Sequence, residues 1–149
     1  MTDPDLGGVD AQTFAKLVAD TPEKQVRAVL ADHVLRAKIL TEVFGRMREH
    51  LREERAAEVR AVIHWRFTDG DGDDGYDRFE TIIADGACRT TPDKTGKARV
   101  TITTHPYEFL RLITGNASAP VLFMTGRLKV RGDLAFAAGL MGLFEMPRA

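Results

Sequence analysis

Apolar residues in the first third of the chain recur at the three- and four-residue spacing of amphipathic helices. Two short helices are predicted: the first is capped by Asp10 and has Phe14, Leu17 and Val18 on one face, and the second is capped by Thr21 and ends near Asp32. From about Val34 to Arg55, one apolar stripe is backed by charged residues, which predicts a single long helix. Residues 1 to 9 offer almost nothing to bury, so we expect a loose tail there.

Strict alternation then replaces the helical pattern. From Val59 to Phe67 every odd position is apolar, as expected for a strand with one buried face. Residues 76 to 84, 87 to 91 and 98 to 103 predict three more strands, and Asp85-Gly86 is the turn that joins the first two as a hairpin.

The last third of the chain returns to helices. A helix capped by Thr104 should run to Gly115, and residues 127 to 131 alternate as a fifth strand. Gly132-Asp133 then turns into a last helix from Leu134 to Glu145. This order predicts an α+β fold, in which helices cover one face of a five-stranded, mainly antiparallel sheet and a helical extension precedes it.

Composition narrows the class of protein. A length of 149 residues with 44% hydrophobic residues suits one globular domain, and 21 Lys and Arg against 22 Asp and Glu disfavour a nucleic acid partner. The single Cys88 and the absence of a signal-like N-terminus predict a reducing, cytoplasmic compartment. No apolar run approaches the ~20 residues of a membrane span, so any membrane contact would be peripheral.

The last predicted helix is the most informative segment. It carries no charged residue between Asp133 and Glu145, so it must be covered on more than one side, and Gly139 and Gly142 soften it. One interpretation is that its large side chains roof a cavity for an apolar ligand. These side chains are Phe136, Leu140, Met141 and Phe144. The alternative is that they complete the core or bury a contact in a homodimer.

The stretch from Val121 to Leu143, VLFMTGRLKVRGDLAFAAGLMGL, resembles the C-terminal signature of the sterol carrier protein 2 family. In that signature an apolar turn, a glycine, a strand with alternating basic residues, a Gly-Asp turn and an apolar helix follow one another. The residues that carry the resemblance are Phe123, Gly126, Leu128, Lys129, Val130, Gly132 and Asp133. Upstream, ITTHPYEFLRLITGNASAP and EVFGRMREHLREERAAEV are similar to the family's strand-helix-loop unit and to its opening helix.

The resemblance covers about residues 35 to 144, and it implies a lipid-binding domain over residues 35 to 149 that follows an extension over residues 1 to 34. It further implies a tunnel for a sterol, fatty acid or acyl-CoA, with no catalytic residues, metal or cofactor. Ten side chains are expected to contact the ligand: Phe109, Leu110, Ile113, Phe123, Met124, Leu128, Phe136, Leu140, Met141 and Phe144. Because the chain ends Pro147-Arg148-Ala149 instead of a peroxisomal tripeptide, we expect a bacterial, cytoplasmic member that holds an acyl chain or another hydrophobic metabolite.

Other sites have less support. Asp69, Asp71 and Asp73 imitate the spacing of a calcium loop, but Asp74 occupies the position that requires glycine, so a solvated hairpin loop is favoured. The four histidines and Cys88 lack metal-ligand spacing. No hydrolase motif surrounds the single serine, Ser118.

Two other function classes stay open. A small enzyme acting on an apolar substrate would use His64 with Asp77 or Glu80 for proton transfer, and it would need such a pair facing the cavity. An interaction subunit would instead dock by its last helix on a partner or a second copy. The alternating basic residues Arg127, Lys129 and Arg131 are either a solvated strand face or a rim that meets anionic head groups or a CoA phosphate.

Overall fold

A computed structural model describes residues 11–70, 72, 74–92 and 95–145. The helices are α1 Ala11–Asp20, α2 Glu23–Ala31, α3 His33–Glu49, α4 Glu53–Ala56, α5 Pro106–Ile113, α6 Ala119–Met124 and α7 Leu134–Leu140, followed by a 3-10 turn, Met141–Leu143. The strands are β1 Ala61–Phe67, β2 Asp77–Ala84, β3 Ala87–Thr91, β4 Val100–Thr104 and β5 Leu128–Gly132. The predicted tail and the Asp10 cap lie outside the described residues.

The five strands form one sheet in the order β3-β2-β1-β4-β5. Neighbours are antiparallel except β1 and β4, which run parallel with Ile63 opposite Val100. After the β1-β2-β3 meander, the chain returns to the free side of β1, and this return makes the pair parallel. The predicted α+β fold with a mainly antiparallel sheet is confirmed, and the sheet is mixed.

The inner face of the sheet carries an aromatic core. Phe44 from α3, Trp65 and Phe67 from β1 and Phe109 from α5 are buried, and their ring centroids lie 4.9 to 6.4 Å apart. The Trp65 indole N–H donates to Thr81 Oγ1 at 2.8 Å, so its polar edge is satisfied. The alternation predicted for β1 therefore places Trp65 and Phe67 on the buried face of the sheet.

The N-terminal helices belong to the same core. Phe14 and Val18 of α1 and Leu30 of α2 are buried against it. The buried Arg36 at the start of α3 donates to the Leu30 carbonyl at 3.0 Å and pairs with Asp77 at 2.6 Å. These helices therefore share one core with the sheet. The division of the chain near residue 35 stays a prediction.

None of the described helices combines the length and the apolarity that crossing a bilayer requires.

The prediction of one long helix from Val34 to Arg55 is wrong. α3 ends at Glu49 because the next residues turn to meet the C-terminal segment. Leu51 forms an antiparallel bridge with Phe144, and the flanking backbone N–H groups of Arg52 and Glu145 donate across it at 2.7 and 2.8 Å. The same bridge ends the last helix early, since the chain is already extended at Phe144.

Two smaller boundaries also differ from the pattern. The apolar stretch 121 to 124 is part of α6, whose N-cap is Ser118. The cap of α5 is His105, whose Nδ1 accepts from the Tyr107 N–H at 3.0 Å, and not Thr104. Thr104 instead donates to the Arg127 carbonyl at 2.8 Å and ties β4 to the start of β5.

Candidate ligand-binding site

A cavity of about 930 Å³ lies between α7, the inner face of β5 and the connection from α5 to α6. Its size falls within the range of about 300–1,000 Å³ that is common for small-molecule sites. Most of its lining is apolar: Leu112, Ala117, Ala119, Pro120, Phe123, Leu128, Val130, Leu134, Ala137, Ala138, Met141 and Phe144. Phe123 and Leu134 are each more than half exposed, so the cavity opens to the surface between α6 and α7.

The cavity exists because the face of α7 that covers it carries small side chains. The lining positions Leu134, Ala137, Ala138, Met141 and Gly142 follow helical spacing, and three of the five have a methyl group or less. Large side chains at these positions would fill the space against β5. The small residues on one helical face therefore leave the cavity unfilled.

Two local features hold α7 in place over β5. Asp133 caps α7 by accepting the Phe136 N–H at 2.9 Å, and it also pairs with Arg99 at 3.0 Å. Gly132 precedes it with φ 108°, and a Cβ atom there would lie 2.5 Å from the Arg99 carbonyl oxygen. Only glycine permits this close approach of β5 to β4.

Arg52 is the one charged residue in the lining among the residues that the structure describes. It is partly buried, and its Nε is buried without a hydrogen-bond partner. The Leu51–Phe144 bridge places it there, because the bridge turns residue 52 toward the C-terminal segment. The cavity thus combines apolar walls with one cationic side chain.

The structure brings together four of the ten side chains that the sequence predicted as ligand contacts: Phe123, Leu128, Met141 and Phe144. The others lie outside the lining. Phe109, Leu110, Ile113 and Leu140 are buried in the core, Met124 is 84% exposed, and Phe136 packs under the Arg99 guanidinium at 4.3 Å. For all ten, contact with a ligand stays a prediction.

Arg52 and the small residues of α7 were missed by sequence reasoning. A continuous helix through Arg52 would have set this residue among the charged positions of its outer face. Ala137, Ala138 and Gly142 are not among the predicted contacts because that prediction rests on large apolar side chains. Ala137 and Ala138 precede Gly142 by five and four positions, and this recurrence of small residues on one face is the signal that was available.

His64 and Glu80 form the titratable pair that an enzyme would need, but on the outer face of the sheet. His64 Nε2 lies 2.9 Å from Glu80 Oε2, and Glu80 also accepts the Thr95 and Gly96 N–H groups, each at 3.0 Å. Burial alone would raise the pKa of Glu80, but these hydrogen bonds outweigh it and lower the pKa to about 2. Neither residue lines the cavity. Asp77 is paired with Arg36 at 2.6 Å.

The acidic loop after β1 is only partly described. Asp71 and Asp73 of the calcium-like spacing lie outside the described residues. Asp69 has φ 58°, and its Oδ2 lies 3.2 Å from His105 Nε2. Within the described part of the chain, no three His, Cys, Asp or Glu side chains are grouped as a metal site.

Comparison with known proteins finds a similar sequence and a similar solved structure. A fatty acid-binding protein of Yarrowia lipolytica is 40% identical over 50 residues, which are 34% of this chain and 39% of that protein. The apo structure of sterol carrier protein 2 from Yarrowia lipolytica is 25% identical with a TM-score of 0.52, over 68% of this chain and 85% of the other.

The fold also occurs within a larger enzyme. An inverting sec-alkylsulfatase from a Pseudomonas species aligns with a TM-score of 0.59 at 17% identity, over 68% of this chain but only 16% of the enzyme. This chain thus spans less than half of the fatty acid-binding protein and about a sixth of the alkylsulfatase. Fold alone therefore does not decide between binding and catalysis. The sequence model of the SCP-2 sterol transfer family matches residues 40–145, most of this chain and all of the sheet, so the chain belongs to the SCP-2 sterol transfer family.

Proposed function

We propose that this protein binds a single-chain carboxylic lipid, such as a fatty acid, in the cavity beneath α7 and holds it without chemical conversion. The observation that carries this proposal is a cavity with apolar walls and a single cationic side chain, Arg52, in its described lining. The fatty acid-binding protein of Yarrowia lipolytica is a relative whose name agrees with this ligand class.

The apolar walls favour a hydrocarbon chain over water. Each methylene group that leaves water contributes about 0.8 kcal/mol, so several methylene groups in the cavity are enough for useful affinity. Water in a hollow with such walls finds few polar partners. Met141 can adapt its unbranched side chain to chains of different length.

Arg52 favours an acid over a neutral lipid. A carboxylate forms charge-assisted hydrogen bonds with a guanidinium, about twice as strong as neutral ones, and it also neutralises the charge. A sterol hydroxyl would accept one hydrogen bond but leave the charge uncompensated. The head group of the ligand therefore lies at Arg52, and its chain runs along β5 and α7.

Binding without conversion follows from the residues that face the cavity. Within the described lining, Arg52 is the one titratable side chain, and an arginine stays protonated at physiological pH. Proton transfer to or from a substrate needs a group that changes its protonation state. The His64–Glu80 pair lies on the other face of the sheet, so it does not reach a ligand in this cavity.

Filling the cavity should abolish binding. In the Ala137→Trp variant, the indole occupies the space between α7 and β5, so we expect at least about tenfold weaker binding of a fluorescent fatty acid. The matched control is Ala135→Trp, on the exposed side of the same helix and outside the lining. Equal affinity of both variants, each with native circular dichroism, would place the lipid elsewhere.

Removing the Arg52 guanidinium should weaken the binding of fatty acids but not the binding of their esters. For Arg52→Gln we expect about tenfold to a hundredfold weaker binding of a fluorescent fatty acid, as for loss of a hydrogen bond to a charged group. Binding of the methyl ester of the same lipid should hardly change. Arg48→Gln, an exposed arginine of α3, is the control. If the wild type binds acid and ester equally well, lipid binding stands and the role of Arg52 is wrong.

A further inference from the structure

A surface groove of about 550 Å³ lies where the outer face of the sheet meets α2 and the start of α5. Its strand positions, Arg66, Thr103 and Lys129, alternate with the inward-facing residues of β1, β4 and β5, so they lie on the outer face. The cavity beneath α7 is instead lined by Leu128 and Val130, on the inner face of β5. The sheet therefore separates this outer groove from the cavity.

The three outer positions form one row across neighbouring strands. The register sets Thr103 opposite Arg66 in β1 and opposite Lys129 in β5. Adjacent strands lie about 4.8 Å apart, so about 10 Å separates the backbones of Arg66 and Lys129, with the short Thr103 side chain between them. The long side chains of Arg66 and Lys129 can therefore reach a single ion above Thr103, whose hydroxyl can donate to that ion.

Cations outnumber carboxylates in the lining of the outer groove. The charged residues of the described lining are Arg27, Arg66, Arg127, Lys129, Glu23 and Glu108. Arg27 engages both carboxylates, because its Nε lies 2.8 Å from Glu23 Oε2 and its Nη2 lies 3.7 Å from Glu108 Oε1. Arg66, Arg127 and Lys129 have no ion pair with a described residue. Three positive charges in the groove can therefore serve a ligand.

The Arg66 guanidinium is positioned before any ligand binds. Its Cζ lies 4.1 Å from the centroid of the Tyr76 ring, which also lines the groove. Arg78 lies directly opposite Arg66 in β2, and like charges in such a pair repel each other. Arg78 is paired with Asp74, so an anion at Arg66 would offset the charge that remains. A guanidinium held against a ring also loses little conformational freedom on binding.

We propose that the outer groove binds a small soluble phosphate monoester, with its phosphate held above Thr103 between Arg66 and Lys129. Such a phosphate carries a charge of about −1.5 to −2 at neutral pH, which suits three cations better than the single charge of a carboxylate. The guanidinium fork of Arg66 can bind two phosphate oxygens, while Lys129 acts as a point charge. This site goes beyond the proposed function, because neither the cavity nor a lipid takes part in it.

The test is a titration of isotope-labelled protein with methyl phosphate, followed by the amide signals of Thr103 and Arg127 in nuclear magnetic resonance spectra. We expect shifts that saturate, with about tenfold weaker binding for Arg66→Gln and at least about threefold weaker binding for Lys129→Gln. Lys129 is exposed, so its variant should fold even if Arg66→Gln does not. The matched control is Arg131→Gln, which removes an exposed charge from the same face of β5 but outside the groove, and it should bind as the wild type does.

A second ligand distinguishes a phosphate monoester site from general attraction of anions. Dimethyl phosphate is a diester that carries one charge, whereas methyl phosphate carries almost two at about pH 8. At constant ionic strength, which keeps the screening of surface charge equal, we expect dimethyl phosphate to bind at least about tenfold more weakly. Equal binding of the two esters would contradict a site built for a monoester.

Ala137→Trp separates the outer groove from the cavity. This variant should fail to bind the fluorescent fatty acid and yet bind methyl phosphate as tightly as the wild type does. The groove proposal is overturned if the shifts do not saturate, if Lys129→Gln binds as the wild type does, or if methyl phosphate displaces the fluorescent fatty acid. It is also overturned if phosphatidylglycerol vesicles shift these signals and methyl phosphate does not, because the phosphate would then belong to a lipid.

Discussion

Replacing Phe109 with alanine is expected to lower the free energy of unfolding by about 3–5 kcal/mol, the usual cost of deleting a buried aromatic ring. Phe109 is fully buried, and its ring centroid lies 4.9 to 5.2 Å from those of Phe44, Trp65 and Phe67. The surrounding rings come from β1 and α3, so they cannot all move to fill the hole. Denaturation in urea, followed by the fluorescence of the single Trp65, measures this loss.

Phe123→Ala is the matched variant, because the sequence assigned both phenylalanines to the ligand site. Phe123 is half exposed at the cavity opening, so we expect a change in stability within about 0.5 kcal/mol. Its loss should instead weaken binding of the fluorescent fatty acid. If Phe109→Ala stays as stable as the wild type and binds less lipid, the ligand reaches the aromatic core and the site lies deeper than we infer.

Replacing Glu80 with alanine is expected to lower the free energy of unfolding by about 2–3 kcal/mol at neutral pH, because several part-buried hydrogen bonds to its buried carboxylate are lost. The donors are the Thr95 N–H and hydroxyl, the Gly96 N–H and His64. They attach the segment before β4 to the outer face of the sheet. Loss of Glu80 should therefore loosen this segment as well as the whole fold, which hydrogen exchange of Gly96 would detect.

The effect of Glu80 should depend on pH in one direction. Its pKa is about 2 in the folded protein and near 4.5 without such contacts, so its contribution is complete above about pH 5 and is lost as the pH falls toward 2. The difference in stability between wild type and Glu80→Ala should narrow over this range. Glu58→Ala, an exposed carboxylate, is the control.

A constant difference from pH 6 to pH 3 would mean that Glu80 acts by packing and not by its charge. Uptake of the fluorescent fatty acid by folded Glu80→Ala should equal that of the wild type, because Glu80 and the cavity lie on opposite faces of the sheet. Loss of uptake in a folded variant would connect the outer-face pair with the ligand and reopen the enzymatic alternative.

The strands were largely predictable because their signal is local. Alternation along residues 59 to 67 identified the buried face of β1, and the turn Asp85-Gly86 fixed the hairpin of β2 and β3. The structure begins β1 two residues later, at Ala61, and moves β4 to Val100–Thr104. Strand ends depend on hydrogen bonds to neighbouring strands, which the alternation of one segment does not contain.

The site was predictable in outline. An uncharged last helix indicated that something must cover it on several sides, and the structure sets it beside a cavity lined by Phe123, Leu128, Met141 and Phe144. The other large apolar residues on the predicted list complete the core or face solvent. Hydrophobic character alone does not separate a wall of a cavity from the interior of a core, because both exclude water.

By itself, the sequence determined the α+β fold class and the buried face of β1, since both follow from the spacing of neighbouring side chains. Only the tertiary structure decided that β1 and β4 run parallel and that α3 stops at Glu49. The same long-range bridge between Leu51 and Phe144 turned Arg52 into the cavity. Contacts between residues more than ninety positions apart leave no periodic trace in either segment, so the cation at the centre of the proposed function became visible only in the folded chain.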